Sequence, residues 1–154
     1  MSRSDSSSDF QTGHVGINVT DLDRAVRFYE SVFGFTVSGR SDEGARRFAF
    51  LKNGDALALT LWQQSQGRFD AARPGLHHLS FRVPTLADVR AAEARVREAG
   101  GRFLYEGAVP HGEGASSGGI FFEDPDGTRL EIFTSDGLQH AHAPTAGAPS
   151  CGFF

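Results

Sequence analysis

Two histidines occupy matching points of a duplicated pattern. Gly13-His14-Val15-Gly16-Ile17-Asn18-Val19 and His77-His78-Leu79-Ser80-Phe81-Arg82-Val83 each run into a leucine-bearing helix start, at Leu22 and at Leu86. Strand alternation turns His14 and His78 to the face opposite Val15, Ile17 and Val19 or Leu79, Phe81 and Val83. Aligning the turn Asn53-Gly54 with Asp126-Gly127 sets the last strands of the two copies against each other and places Ala58 opposite Glu131. Glu131 alternates with Leu130 and Ile132, so it leaves the apolar face and shares that of His14 and His78. Two imidazoles and one carboxylate are the donor set of the facial triad of non-haem Fe(II) oxygenases, and of some zinc sites with an open position. Taken singly, a histidine at a strand start is more often a hydrogen-bonded rim residue, and a strand glutamate is usually solvated. All three here follow from one internal alignment, which favours a metal. His77 competes with His78, but alternation turns it to the other face, and Gly13 stands at its matching position in the first copy.

The elements that must position these donors repeat as well. Leu22, Ala25, Tyr29 and Val32 lie at helical spacing, with Gly34 as the stop; Leu86, Val89, Val96 and Ala99 mark the second helix, closed by Gly100-Gly101. Three short strands follow each helix, at 35–39, 46–51 and 55–62 in the first half and at 102–106, 119–123 and 128–133 in the second. The plan is β-α-β-β-β, twice, which is an α+β fold. Asn53-Gly54 suits a two-residue hairpin turn, and Asp124-Pro125-Asp126-Gly127 a type I turn. The expected organisation is an arm at 1–11, modules at 12–63 and 76–135, a linker at 64–75 and a tail at 136–154.

Parity outlines a cleft around the donors. Gly16 and Asn18 follow His14, Ser80 and Arg82 follow His78, Arg129 and Phe133 flank Glu131, and Thr60 and Trp62 extend the row of Ala58. Small groups at Gly16, Ala58 and Ser80 leave room beside a metal; Trp62 and Phe133 offer flat apolar walls, and Arg82 or Arg129 a partner for an anionic group. The substrate-binding candidates are thus Asn18, Thr60, Trp62, Ser80, Arg82 and Phe133. For Trp62, packing against a partner subunit is an equal alternative. Residues 105–119 read as a mobile loop at the cleft mouth or as a plain surface connection. Within them, Gly114-Ala115-Ser116-Ser117-Gly118 has the form of a nucleophile elbow but lacks the strand before it and the helix after it.

The segments 13–25, 28–35, 75–83 and 121–132 resemble the vicinal oxygen chelate superfamily, which holds glyoxalase I, extradiol dioxygenases, fosfomycin-resistance thiol transferases and bleomycin-binding proteins. The resemblance spans about residues 12–135 and implies paired modules that curl into a curved mixed sheet, a half-barrel cleft with the helices on its outer face. It also implies a divalent metal held by His14, His78 and Glu131, with open positions for two adjacent substrate oxygens. Glyoxalase I proteins carry a fourth ligand, a glutamate, where this chain has Ala58, which disfavours methylglyoxal isomerisation. Extradiol dioxygenases share the three ligands but place a tyrosine before the turn, where Phe122 stands here, and an acid–base histidine at a position falling among Glu113, Gly114 and Ala115. His111 lies close by and is the catalytic candidate. Bleomycin-binding relatives generally lack the ligands, and the phosphonate- and potassium-binding residues of the thiol transferases find no match. Members of the superfamily often build each cleft from module one of one chain and module two of another, which implies a homodimer.

Composition limits the remaining classes. The chain has 154 residues, a net charge of -4 and a pI near 5.8. With no run of basic residues, it carries no electrostatic case for nucleic acid or a membrane surface. Residues 1–10 read as a Ser/Asp-rich disordered arm, not a signal peptide, and a single cysteine, Cys151, fits a reducing cytoplasm. The tail from Leu138, with His140, His142, Pro144 and Pro149 in an Ala/Gly background, reads as linker; its terminal Phe153-Phe154 suits docking into an apolar groove. The sequence therefore predicts a metal-dependent, dioxygenase-like enzyme acting on a small substrate with vicinal oxygens. Fe(II) is favoured, with Mn(II), Zn(II), Ni(II) or Co(II) as alternatives. The competing readings are a non-catalytic antibiotic- or metabolite-binding protein and a lyase, isomerase or transferase of the same superfamily.

Overall fold

Each half of the chain begins with a short strand and a capped amphipathic helix. Helix α1 (Leu22–Phe33) buries Leu22, Ala25, Val26, Phe28, Tyr29 and Val32; the Asp21 side chain accepts from the Arg24 amide at its start, and Gly34 ends it at φ 68°. That left-handed backbone favours glycine. Helix α2 (Leu86–Glu98) opens with a reciprocal capping box between Thr85 and Asp88 and buries Val89, Ala92 and Val96. The computed structural model describes residues 9–152.

Around α1 lie β1 (Val15–Asn18), β2 (Thr36–Ser41), β3 (Phe48–Asn53) and β4 (Ala56–Trp62), in one sheet of order β1-β4-β3-β2. Around α2 lie β5 (Leu79–Arg82), β6 (Arg102–Phe103), β7 (Val109–Pro110), β8 (Gly118–Glu123) and β9 (Arg129–Thr134), ordered β5-β9-β8-β6 with β7 beside β8. The β1/β4 and β5/β9 pairs are parallel and the others antiparallel, so both sheets are mixed and each histidine-bearing strand lies beside its module's last strand. The fold is α+β, an open arrangement in which the βαβββ plan occurs twice, with the short β7 added in the second copy. Both sheets contribute to a single apolar cluster, bridged by Phe33 against Phe81 at 4.7 Å between ring centres. Among the described residues no helix is long and apolar enough to cross a membrane.

Polar contacts fix one module on the other. Tyr29, fully buried on α1, donates from its hydroxyl to Asp124 Oδ2 at 2.8 Å; Arg24 Nη2 reaches Asp126 Oδ1 at 3.0 Å, and the Thr20 hydroxyl donates to the same oxygen. Asp124 Oδ1 also accepts the amides of Asp126 and Thr128, each at 2.9 Å. One carboxylate thus shapes the β8–β9 turn and anchors it to α1.

Three sequence expectations change. The pairing of β3 with β4 shifts between Leu51 and Lys52, whose partners are Leu59 and Leu57, so Ala58 is an extra, bulged residue that packs toward the core. Its bulge displaces the simple turn alignment: Gly16 pairs with Thr60 just as Ser80 pairs with Glu131, so Thr60, not Ala58, is the first-module counterpart of Glu131. Residues 105–119 are not a plain loop, because β7 pairs with β8 inside them. The tail is not a linker: Leu138 and Ser150 are buried, and a short 3-10 turn spans Ser150–Gly152. The terminal phenylalanines and residues 1–8 of the arm lie outside the described residues.

Candidate functional site

Strand β9 carries Glu131 with its carboxylate only 3% exposed. A buried carboxylate needs partners, and it has two histidines. His78 Nε2 lies 3.5 Å from Oε2, and His111 Nε2 is hydrogen-bonded to Oε1. His78 precedes β5, whose Ser80 pairs with Glu131, so the parallel register brings the imidazole over the carboxylate. Its other ring nitrogen, Nδ1, lies 2.7 Å from His77 Nδ1. A partner on the far nitrogen orients a ligating imidazole, and Nε2 is the nitrogen turned to Glu131. Burial is the largest influence on His78 and holds it below the usual imidazole range, against the raising effect of Glu131. Its neutral form, the one able to ligate a metal, is thereby favoured.

His111 follows directly on β7. Its Nδ1 is 2.9 Å from the Ser117 hydroxyl, and its ring lies 5.1 Å from that of Phe133. His111, Phe133, His78 and Glu131 therefore share one face of the second sheet, with exposed Ser80 and Arg82 on the adjoining strand.

His14 is elsewhere. It stands exposed ahead of β1 at the edge of the first sheet, and among the described residues no three His, Cys, Asp or Glu side chains come together as a metal site. Imidazole and carboxylate suit a divalent transition metal, but one chain assembles only His78 and Glu131 of the expected three. Their fit is that of a half-site. On the first sheet, Trp62 Nε1 donates to the Thr60 hydroxyl at 2.9 Å, and the Trp62 ring meets Phe48 at 5.3 Å and Phe50 at 6.1 Å. This aromatic wall contains two predicted residues, Thr60 and Trp62, on a sheet separate from Glu131. Asn18 is exposed beside Gln64, which donates to it at 3.4 Å, and lines a cleft of about 350 Å³ with Gly16, Thr20, Arg68, Phe69 and Asp126. That cleft lies between β1, the linker and the β8–β9 turn of the second module, not at Glu131.

Sequence reasoning missed the roles of His77, Phe48 and Phe50 and the bond from His111 to Glu131. His77 was assigned to the opposite face by alternation, yet β5 begins only at Leu79, so period 2 does not apply to it. Phe48 and Phe50 were legible, since both alternate onto the face of Trp62. The His111 contact had no local signal, because a pairing of β7 with β8 creates it.

The mixed α+β fold agrees with the comparisons. Residues 11–132 match the model of the Glyoxalase/Bleomycin resistance protein/Dioxygenase superfamily, and the chain belongs to that superfamily. It is 28% identical over 127 residues to the catechol-2,3-dioxygenase of Bacillus subtilis, covering 81% of this chain but 41% of that protein; the chain spans about two fifths of that relative's length. It is 30% identical over 126 residues to the lactoylglutathione lyase of Neisseria meningitidis, covering 77% of this chain and 86% of the lyase. The structure of a glyoxylase/bleomycin resistance protein/dioxygenase domain from Frankia sp. EAN1pec superposes with a TM-score of 0.70 at 28% identity, covering 87% of this chain and 98% of that one. A mutant fosfomycin resistance protein FosX from Listeria monocytogenes, solved with Mn(II) and 1S,2S-dihydroxypropylphosphonic acid, shares the fold at TM-score 0.64 and 15% identity, covering 83% and 94% of the two chains.

Proposed function

We propose that this protein is a metal-dependent enzyme of the dioxygenase type, acting on a small substrate with two adjacent oxygens. Its metal is held by His78 and Glu131 of one chain and His14 of a second copy. The observation that carries the reading is the separation of the repeat: His78 lies over a buried carboxylate, while its counterpart His14 stands exposed just ahead of an edge strand of the other module. A two-fold dimer would bring each exposed edge to the other copy's half-site, making two equivalent sites. The Mn(II) in the FosX relative and the oxygenase named among the relatives support a divalent metal; Fe(II) is the choice this reading favours, with Mn(II), Zn(II), Ni(II) or Co(II) as alternatives.

When bound, the metal supplies Lewis-acid chemistry toward two adjacent oxygens and, as iron, access to O2. The remaining work belongs to the chain. Glu131 contributes the single negative charge of the donor set. Phe133 walls one side, exposed Arg82 offers a positive charge to an anionic substituent, and Ser80 leaves space beside the carboxylate. The Trp62, Phe48 and Phe50 wall of the second copy meets a planar substrate. His111, bonded to Glu131 in the metal-free chain, can hold or accept a proton at Nε2.

A binding function without catalysis is favoured by one observation, the same aromatic wall, which requires no metal. Elemental analysis of the purified protein, with His14→Ala, His78→Ala and Glu131→Gln beside it, tests the donor set; metal loss in all three variants is expected. Full retention in any one removes that residue. An oxygen electrode with a catechol and diketone panel under Fe(II) then separates enzyme from binder. Tight binding by the metal-free protein without turnover in any metal form would favour the binder.

A further inference from the structure

The tail reaches the same carboxylate indirectly. From Leu138 to Ser150 it runs along the segment that carries His111. The Leu138 amide donates to Ser116 O at 2.9 Å, and the Leu138 side chain sits against Gly118, where an added Cβ would come within 2.4 Å of it. Glu113 accepts the Ala143 amide at 2.9 Å and lies 3.0 Å from His142 Nδ1. Fully buried Ser150 makes three further ties: its amide donates to His111 O at 2.8 Å, its hydroxyl to Pro110 O at 2.6 Å, and its carbonyl accepts the Tyr105 hydroxyl at 2.9 Å. Two of these ties land on His111 and the residue before it. At the other end of the turn the His111 amide donates to Ser117 O at 2.9 Å. The backbone of His111 is therefore clamped on both sides, and its ring is held on Glu131 Oε1.

We propose that the tail is a strap that keeps His111 on Glu131, so that the imidazole competes with a metal for the carboxylate and release of the strap opens the site. The inference rests on the metal reading of Glu131 given above. A carboxylate whose oxygen accepts a charge-assisted hydrogen bond is a poorer donor to a cation, and a metal that takes both oxygens of Glu131 must displace His111 from Oε1. With the strap in place the site is held closed toward metal. With the strap loosened, the segment 109–117 loses its clamp, His111 leaves Oε1, and the carboxylate is free to ligate. The sequence of events is a population shift between a strapped and an open state, in which metal favours the open one.

The test uses the full-length chain. The triple variant Tyr105→Phe/Glu113→Gln/Ser150→Ala removes side-chain ties of the strap without touching His111, Glu131 or Leu138. His111→Ala removes the competitor and leaves the strap. Amide exchange of the metal-free proteins is read at His111 and Ser150 by NMR, and Mn(II) affinity by the loss of the free-ion EPR signal. The triple variant should exchange both amides about tenfold faster, and both it and His111→Ala should bind Mn(II) about tenfold more tightly, as expected for losing one hydrogen bond to a charged group. Unchanged exchange in the triple variant overturns the strap. Weaker Mn(II) binding by His111→Ala makes His111 a support of the site, as a ligand or as a partner that orients Glu131, not a competitor, and also overturns it. If wild type and variants bind Mn(II) alike, this inference alone falls; if no form binds Mn(II), the metal reading falls and takes this one with it, whatever the exchange shows.

Discussion

Removing the Tyr29 hydroxyl should loosen the joint between the modules by a measurable amount. Tyr29 is fully buried and Asp124 is 4% exposed, so Tyr29→Phe leaves one carboxylate oxygen without its donor in a place water does not reach. The ring packing against Phe28 and Phe33 is retained, which confines the loss to the hydrogen bond. A hydrogen bond to an ionised acceptor is worth about 1.5–3 kcal/mol. For a chain of 154 residues, at about 2–4 °C per kcal/mol, the melting temperature should fall by roughly 3–12 °C. Urea unfolding at pH 8, followed by the fluorescence of the sole tryptophan and by circular dichroism, measures it. Asp124→Asn and the double variant complete a cycle whose coupling should be at least about 1 kcal/mol. A loss below roughly 0.5 kcal/mol, or no coupling, would show that the buried pair does not hold the joint.

Three other outcomes follow from the same structure. Gly119→Ala should cost about 3 kcal/mol or more, because its Cβ would lie 1.9 Å from Ile132 O and force β8 from β9; a loss under about 1 kcal/mol by urea unfolding would show that the strands part easily. Burial raises the Asp124 carboxyl above its ordinary range, so the folded chain holds that proton more tightly than the unfolded one. Its contribution is then fully present below the ordinary carboxylate range and lost as pH rises through the raised value. The penalty of Asp124→Asn should accordingly be larger at pH 4 than at pH 7, and a penalty that grows toward neutrality would reverse the assigned sign. Finally, catechol should quench the fluorescence of Trp62, and Trp62→Ala should weaken its binding by about three- to tenfold in calorimetry, as expected for losing one aromatic contact; neither effect would appear if the wall of Trp62, Phe48 and Phe50 is not a binding surface.

The repeat made most of this fold readable. Period 2 in the strands that follow His14 and His78, helical spacing through Tyr29 and Val89, and the Gly and Asp-Pro-Asp-Gly turns are local signals, and β1, β5 and both helices lie where those signals place them. That Glu131 shares a face with His78 was legible for the same reason, since alternation along β9 is local; its burial was not. What failed was non-local. The bulge at Ala58 arises from a pairing shift between β3 and β4, and it moved the counterpart of Glu131 to Thr60. Pro144, Gly147 and Pro149 resemble linker, while the tail is tied down by Leu138, Ala143 and Ser150 through contacts with Ser116, Glu113, Pro110 and His111, which no periodicity within the tail encodes. His111 was a candidate only because it lies close to the position that the resemblance gives an acid–base histidine. Its bond to Glu131 depends on strand pairing that a two-residue β7 barely announces.

The central claim is that the metal site is shared between chains, with His14 from one and His78 and Glu131 from the other. The most direct measurement mixes His14→Ala chains with Glu131→Gln chains, each without metal alone, and follows metal content by elemental analysis after subunit exchange. The account predicts that binding returns at about one of the two sites in each mixed dimer, because one interface then unites an intact first module with an intact second module. Chains that exchange while the mixture stays metal-free would contradict it, as would a monomer in light scattering that still carries metal.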